Sequence, residues 1–192
     1  MTIRVLPDEV ASQIAAGEVV ERPASVVKEL LENAIDAGAT SITLRIEQAG
    51  RRLIELSDDG EGIPTGEAAL AVARHATSKL HNAEDLFHIT TLGFRGEALA
   101  SIASVSRFTL TTHHRQASVG ERISVEGGHN GPVEPAGAPP GTLIRVEDLF
   151  YNVPARLKFL KQDATERQQI DALVTRYAVA YPHIRFQLFH DG

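Results

Sequence analysis

The chain has 192 residues, 43% of them apolar, which is enough for one domain with a hydrophobic core. Its net charge of −6, from 25 acids against 19 Lys and Arg, argues against a whole-surface electrostatic clamp for nucleic acid, although a local basic face stays open. Without cysteine there is no disulfide framework and no thiolate metal centre, and no apolar run is long enough to span a bilayer.

Met1 to Pro7 lacks the apolar core of a signal peptide, so the expectation is a cytoplasmic protein. Residues 8–17 read as a short helix, with Val10, Ile14 and Ala15 apolar. Pro23 opens a longer helix to about Ala37, because a first helical position has no use for an N–H. Val26, Val27, Leu30, Leu31, Ala34 and Ile35 form its apolar stripe, and Gly38 suits a left-handed cap. The opposite face gathers Ser25, Glu29, Glu32, Asn33 and Asp36. An ordinary solvated face looks like this. Asn33 is the exception, since asparagine competes with the helix for backbone hydrogen bonds.

Ile42, Leu44 and Ile46 alternate with polar residues, as do Ile54 and Leu56 against Leu53 and Glu55. These are two half-buried strands joined by a hairpin at Ala49-Gly50. The second runs into Asp58-Asp59-Gly60-Glu61-Gly62. A plain turn explains Asp-Gly. Two glycines also let a ligand approach the backbone, and a carboxylate at a strand end accepts a hydrogen bond from a base's exocyclic amine.

Further strands are expected near 105–112, 121–126, 142–147 and 184–189, and helices near 65–74, 96–103, 155–161 and 163–180. Asp163 with Glu166 resembles a capping box, and Pro182 follows the last helix. Residues 127–141 read as a Gly- and Pro-rich surface loop. From Arg74 to Gly96 the pattern weakens, which suits a functional lid. In that stretch Gly93-Phe94-Arg95-Gly96-Glu97-Ala98-Leu99 leads into a helix, whose N-terminus could hold phosphate; Thr77, Ser78 and Lys79 could add hydroxyls and charge. Asp191-Gly192 is a hairpin signal with no second strand, so the chain is expected to be a piece of a longer protein.

Other signatures are missing. There is no GxxxxGK[ST], and Gly60, Gly62 and Gly66 miss the GxGxxG spacing by one residue. His113 and His114 would point to opposite faces of a strand and cannot share a metal, and no motif singles out a nucleophilic serine.

Taken in order, the Glu29–Asn33 helix, the Asp58–Gly62 turn and the Gly93–Leu99 segment resemble the GHKL ATPase superfamily. Longer motifs resemble its MutL branch: Gln13 through Pro23, Lys28 through Ala39, Arg74 through Lys79, Gly93 through Leu99, and Leu149 through Arg156. The resemblance covers essentially the whole chain. It implies an α/β two-layer sandwich, with a mixed, largely antiparallel sheet and helices on one face (the GHKL or Bergerat ATP-binding fold), spanning 1–192 as one ATP-binding domain. It implies ATP and Mg²⁺ as ligands, Glu29 as general base and Asn33 as metal ligand. By the same matching, Asp58 reads the adenine amine, Gly60 and Gly62 shape the base pocket, and Thr142 supports it. Thr77, Ser78, Lys79, Gly93, Phe94, Arg95, Gly96, Glu97, Ala98 and Leu99 fall on the phosphate side. Asp59 departs from the asparagine common in relatives and adds charge beside Asp58.

For the longer protein the resemblance implies a second α/β module that supplies a lysine to the γ-phosphate, and a C-terminal dimerisation domain. It implies DNA mismatch repair, with ATP-driven homodimerisation coupling MutS to a downstream nuclease and helicase, and with DNA as a partner of the full-length protein. Two alternatives stay beside it: a nucleotide-gated interaction module with incidental or no hydrolysis, and another GHKL ATPase such as a histidine kinase catalytic domain.

Overall fold

A computed structural model of the chain describes residues 4, 16–17, 19–77, 92 and 96–191. Pro23 starts helix α1 (Pro23–Asp36), and Val26, Val27, Leu30, Leu31 and Ala34 are buried along its inner side. The helix stops at Gly38, whose φ is +71°. Gly38 N–H donates to Ile35 O (2.9 Å) and Ala39 N–H to Ala34 O (3.1 Å), the paired bonds of a Schellman motif. This stop turns the chain straight into the sheet.

Strands β1 (Ser41–Glu47) and β2 (Leu53–Asp58) form the expected antiparallel hairpin, closed by a one-turn 3₁₀ segment, Gln48–Gly50. They are joined by β3 (Arg107–His113), β4 (Gly120–Glu126), β5 (His129–Ala136), β6 (Gly141–Glu147) and β7 (Arg185–His190). The sheet order is β5-β4-β3-β6-β2-β1-β7. Only β1 with β7 is parallel, so the sheet is mixed and largely antiparallel.

Alternation gives the sheet two unlike faces. Ile42, Leu44, Ile46, Ile54, Leu56, Phe108, Leu110, Ile144 and Val146 are buried on one of them. The other carries charge across the strands: Arg145 sits between Glu55 (3.0 Å) and Glu147 (3.2 Å). Helices cover the apolar face: α1, the one-turn α2 (Ala68–Ala71), α3 (Ala98–Ser104) and the long α5 (Asp163–Ala180), while the one-turn α4 (Pro154–Leu157) buries none of its residues. Helix α5 packs on α1 through Ile170 and Val174. Among the described residues no helix is long and apolar enough to cross a membrane.

Four expectations change. Residues 129–136 are a strand, not a loop. Among the described residues β5 pairs only with β4, and an edge strand tolerates proline where its N–H would face away from the ladder. Nearly all of β5 is exposed, so it carries no apolar alternation to read. The helices expected at 65–74 and 155–161 shrink to one turn each, Ala68–Ala71 and Pro154–Leu157. The capping box does not form: Gln162 is the cap, Asp163 pairs with Arg51 (2.8 Å), and the buried Glu166 accepts Lys161 N–H (2.9 Å). The polar side of α1 is not simply solvated, because Glu32 is 7% exposed. Of the helix expected at 8–17, only Ala16 and Gly17 are among the described residues, and both are helical. Most of the expected lid lies outside them.

Candidate nucleotide site

The period of two that builds the core also builds the site. Asp58 continues the row of Ile54 and Leu56, Thr142 that of Ile144 and Val146, and Thr112 that of Phe108 and Leu110. Register puts Asp58 opposite Thr142, and Thr142 opposite Thr112. Three polar side chains therefore form one cross-strand row at the end of the apolar face, under the helices. The Thr112 and Thr142 hydroxyls are 3.2 Å apart, and Thr112 Oγ1 accepts Ile63 N–H at 2.8 Å.

Burial pushes the Asp58 carboxyl up to about 6 from 3.8. The backbone N–H groups of Gly60 (2.8 Å to Oδ1) and Thr142 pull the other way, and Asp59 adds a smaller upward push. Asp59 itself turns aside. It accepts Thr40 N–H (2.7 Å), Ser41 N–H (2.8 Å) and the Thr40 hydroxyl (2.6 Å). Desolvation opposes its charge, but those bonds prevail and hold it below the ordinary carboxylate value. Asp59 is thus a fastener for the start of β1.

The glycine turn is held against α1 and the β3–β4 loop. Glu61 N–H donates to Ala37 O (3.0 Å), and Arg115 donates from Nη2 to Asp59 O (2.8 Å). Gly62 has φ +74°, and a Cβ there would stand 2.3 Å from His113 O, so no side chain fits. His113 is structural, with its ring nitrogens 2.6 Å and 3.1 Å from the carbonyl oxygens of Ala138 and Ala117.

On α1, Glu29 and Asn33 share one face, a helical turn apart and half-buried. Asp36 Oδ1 accepts Leu92 N–H (3.0 Å), which ties α1 to the segment before α3. At that helix, Gly96 has φ +64°, and a Cβ would meet Ala76 O at 2.5 Å, so the backbone packs directly on Ala76 and the half-buried Thr77. Glu97 caps α3 and pairs with His75 (2.7 Å), while Ala98 and Leu99 begin the helix. Ser78, Lys79, Gly93, Phe94 and Arg95 lie outside the described residues.

Among the described residues no group of three His, Asp or Glu could hold a metal. Mg²⁺ needs less, taking one or two protein oxygens and filling its octahedron with phosphates and water. The Asn33 amide oxygen, flanked on α1 by Glu29 and Asp36, fits that demand. An open apolar groove between α5 and β7, lined by Val174, Ala178, Phe186 and Leu188, lies apart from this polar row.

Sequence comparison agrees with the geometry. Residues 21–130 match the family described as "Histidine kinase-, DNA gyrase B-, and HSP90-like ATPase". The chain belongs to this GHKL ATPase family. Within it, the chain is 58% identical over 186 residues to the DNA mismatch repair protein MutL of Acidobacterium capsulatum, covering 97% of this chain and 28% of that protein. It is 54% identical to the Geotalea daltonii MutL, covering 99% of this chain and 32% of that protein. The chain thus spans about a third or less of these relatives. Among solved structures, the Aquifex aeolicus MutL ATPase domain complexed with ADP has a TM-score of 0.71 and 38% identity, covering 91% of this chain and 62% of that one.

Thr112, Thr40 and Arg115 are parts of this candidate site that no contiguous motif marks. Each acts through cross-strand register or a loop contact, which a single sequence does not display. Thr112→Val keeps the shape but leaves Ile63 N–H without its acceptor. It should cost about 1–3 kcal/mol of unfolding free energy in urea titration. An unchanged midpoint would show that the hydroxyl row contributes nothing to stability.

Proposed function

We propose that this domain binds and hydrolyses Mg²⁺–ATP as the N-terminal ATPase module of a MutL-type DNA mismatch-repair protein. The observation that carries the reading is the half-buried Asp58 carboxylate, in register with Thr142 and on the turn that Glu61 N–H ties to Ala37 O, at the end of the helix that bears Glu29 and Asn33. An acceptor sunk at the end of an apolar face suits the exocyclic amine of adenine. Gly60 and Gly62 shape the pocket by letting the turn pack tightly on Ala37 and on the His113 backbone, and Thr142 supports that wall.

Asn33 would hold the metal, whose chemistry is to neutralise phosphate charge. Glu29 takes a proton from water, and the water oxygen bonds to the γ-phosphorus. The bond to the bridging oxygen breaks, and ADP leaves with that electron pair. Thr77, Ser78, Lys79 and the Gly93–Leu99 segment contact the phosphates. The ADP complex of the Aquifex domain supports a nucleotide in this fold.

The greater length of the relatives supports reading residues 1–192 as one ATP-binding domain of a longer protein, which we take to act in the cytoplasm. There it is followed by a second α/β module bearing a γ-phosphate lysine and by a C-terminal dimerisation domain. ATP favours the closed N-terminal dimer through differential contacts. That switch links MutS to the downstream nuclease and helicase on DNA.

Calorimetry with ATP and GTP, with and without Mg²⁺, tests the reading. ATP binds more tightly than GTP, and Mg²⁺ strengthens ATP binding. Asn33→Ala should abolish the Mg²⁺ effect while leaving magnesium-free binding unchanged. Equal ATP and GTP affinities, or an Asn33→Ala variant with the parent's Mg²⁺ response, would overturn it.

A further inference from the structure

Glu32 lies one residue from the metal-side asparagine and is nearly sealed from solvent, yet the hydrolytic scheme gives it no task. Tyr177, reaching across from α5, donates its hydroxyl to Glu32 Oε1 at 2.7 Å. Lys28 Nζ donates to Glu32 Oε2 at 2.9 Å and stands 3.3 Å from Glu29 Oε1. One ammonium is therefore shared by two carboxylates, and the closer one is the buried one. Burial works against the Lys28 charge, but its bonds to Glu32 and Glu29 outweigh that and raise its pKa. Burial and the bond to Glu32 push the Tyr177 phenol up, so it remains a donor.

Helix stabilisation does not account for this arrangement. Lysine N-terminal to glutamate is the less favourable order for an i,i+4 pair, and such pairs contribute only about 0.2–0.5 kcal/mol. Burying a carboxylate to make one costs more than that unless its partners are firmly held. Near a general base the same contacts have a chemical use. An ammonium seated fully on Glu29 would occupy the oxygen that must receive a proton.

We propose that Glu32, fixed by Tyr177, is a positioning residue for Glu29: it draws Lys28 to itself and leaves a Glu29 oxygen free to face water. This rests on the reading of Glu29 as the base. Tyr177 acts at one further remove, by holding the Glu32 carboxylate toward Lys28. The three side chains join α1 to α5, so the packing of the two helices bears on how well the base is aimed.

The test compares single-turnover ATP hydrolysis and ATP affinity in the protein as its gene encodes it. Glu32→Gln keeps an acceptor for Tyr177 but loses the charge that holds Lys28, so turnover falls about tenfold while ATP affinity stays within about twofold. Tyr177→Phe, which removes one hydroxyl, shifts turnover in the same direction by a smaller factor. Adding Lys28→Met to Glu32→Gln restores turnover severalfold, because no ammonium is left to engage Glu29. A purely structural role for the cluster predicts the reverse, with the double variant worse than either single one. Parent-like turnover in both Glu32→Gln and Tyr177→Phe, or no recovery in the double variant, overturns the positioning role. Glu29→Gln separates the two layers: if it is inactive while Glu32→Gln is parent-like, only the positioning role fails. If Glu29→Gln hydrolyses ATP at the parent's rate, the base reading itself fails.

Discussion

Glu29→Ala leaves ATP affinity within about twofold of the parent and lowers turnover by about 10²–10⁴-fold, the usual contribution of a positioned general base. Glu29 stands on the polar face of α1, half-buried, and its neighbour Asn33 offers an amide oxygen one turn away. Asp58, the residue proposed to read the base, belongs to another element and is fixed by β-sheet register rather than by Glu29. Removing the Glu29 carboxylate therefore takes away a proton acceptor without disturbing the base pocket. Binding and turnover should separate cleanly, as expected of an interaction made in the transition state alone. The same variant divides the candidate classes. A nucleotide-gated module whose hydrolysis is incidental keeps its ATP-dependent partner binding when Glu29 is lost. An ATPase cycle stalls in the ATP-bound form. Quenched-flow turnover beside calorimetric affinity decides the matter, and equal loss of both would remove Glu29 from the chemistry.

What the sequence displayed, and what it hid, follows from where each signal lives. Helix α1 was legible to within a residue, because Pro23, the apolar stripe and Gly38 are local signals that act along one segment. The same holds for β1 and β2, where strict alternation meets a hairpin turn. β5 was not legible, since an exposed edge strand with Pro132 and Pro135 buries almost nothing and so leaves no apolar pattern. Residues of the candidate site divide the same way. Glu29, Asn33 and the Asp58–Gly62 turn stand in contiguous motifs. Thr112 becomes a neighbour of Thr142 only through the β3–β6 register, and Tyr177 meets Glu32 across 145 residues of chain. Asp59 does add charge beside Asp58, but only as a small part of its shift: burial dominates, and the Asp59 carboxylate is spent on Thr40 and Ser41, contacts that no local motif displays.

Asp58→Asn should make the empty domain more stable and weaken its hold on the nucleotide. Asp58 has a folded-state value of about 6, above the ordinary 3.8, so the native state holds its proton more tightly than the unfolded chain does. The stability from that proton is complete below about pH 3.8 and is lost as the pH rises through 6. At pH 7 the carboxylate is ionised under the helices, which leaves the domain roughly 3 kcal/mol less stable than a neutral isostere would. Asparagine is that isostere, and its Oδ1 can still accept Gly60 N–H. Urea titrations at pH 7 should therefore show a gain of up to about 3 kcal/mol for Asp58→Asn, and the gain should vanish near pH 4. Binding moves the other way. With Oδ1 committed to Gly60, the side chain turns an N–H donor toward the adenine amine, itself a donor. ATP affinity should drop by about tenfold to a hundredfold, the range for a lost hydrogen bond to a charged group. In the parent, affinity should also weaken as the pH falls through 6, because the same proton that stabilises the fold removes the acceptor. Stability and recognition thus oppose each other at one oxygen pair. A variant that gains no stability at pH 7 and still binds ATP like the parent would mean that Asp58 is neither strained by burial nor engaged with the base.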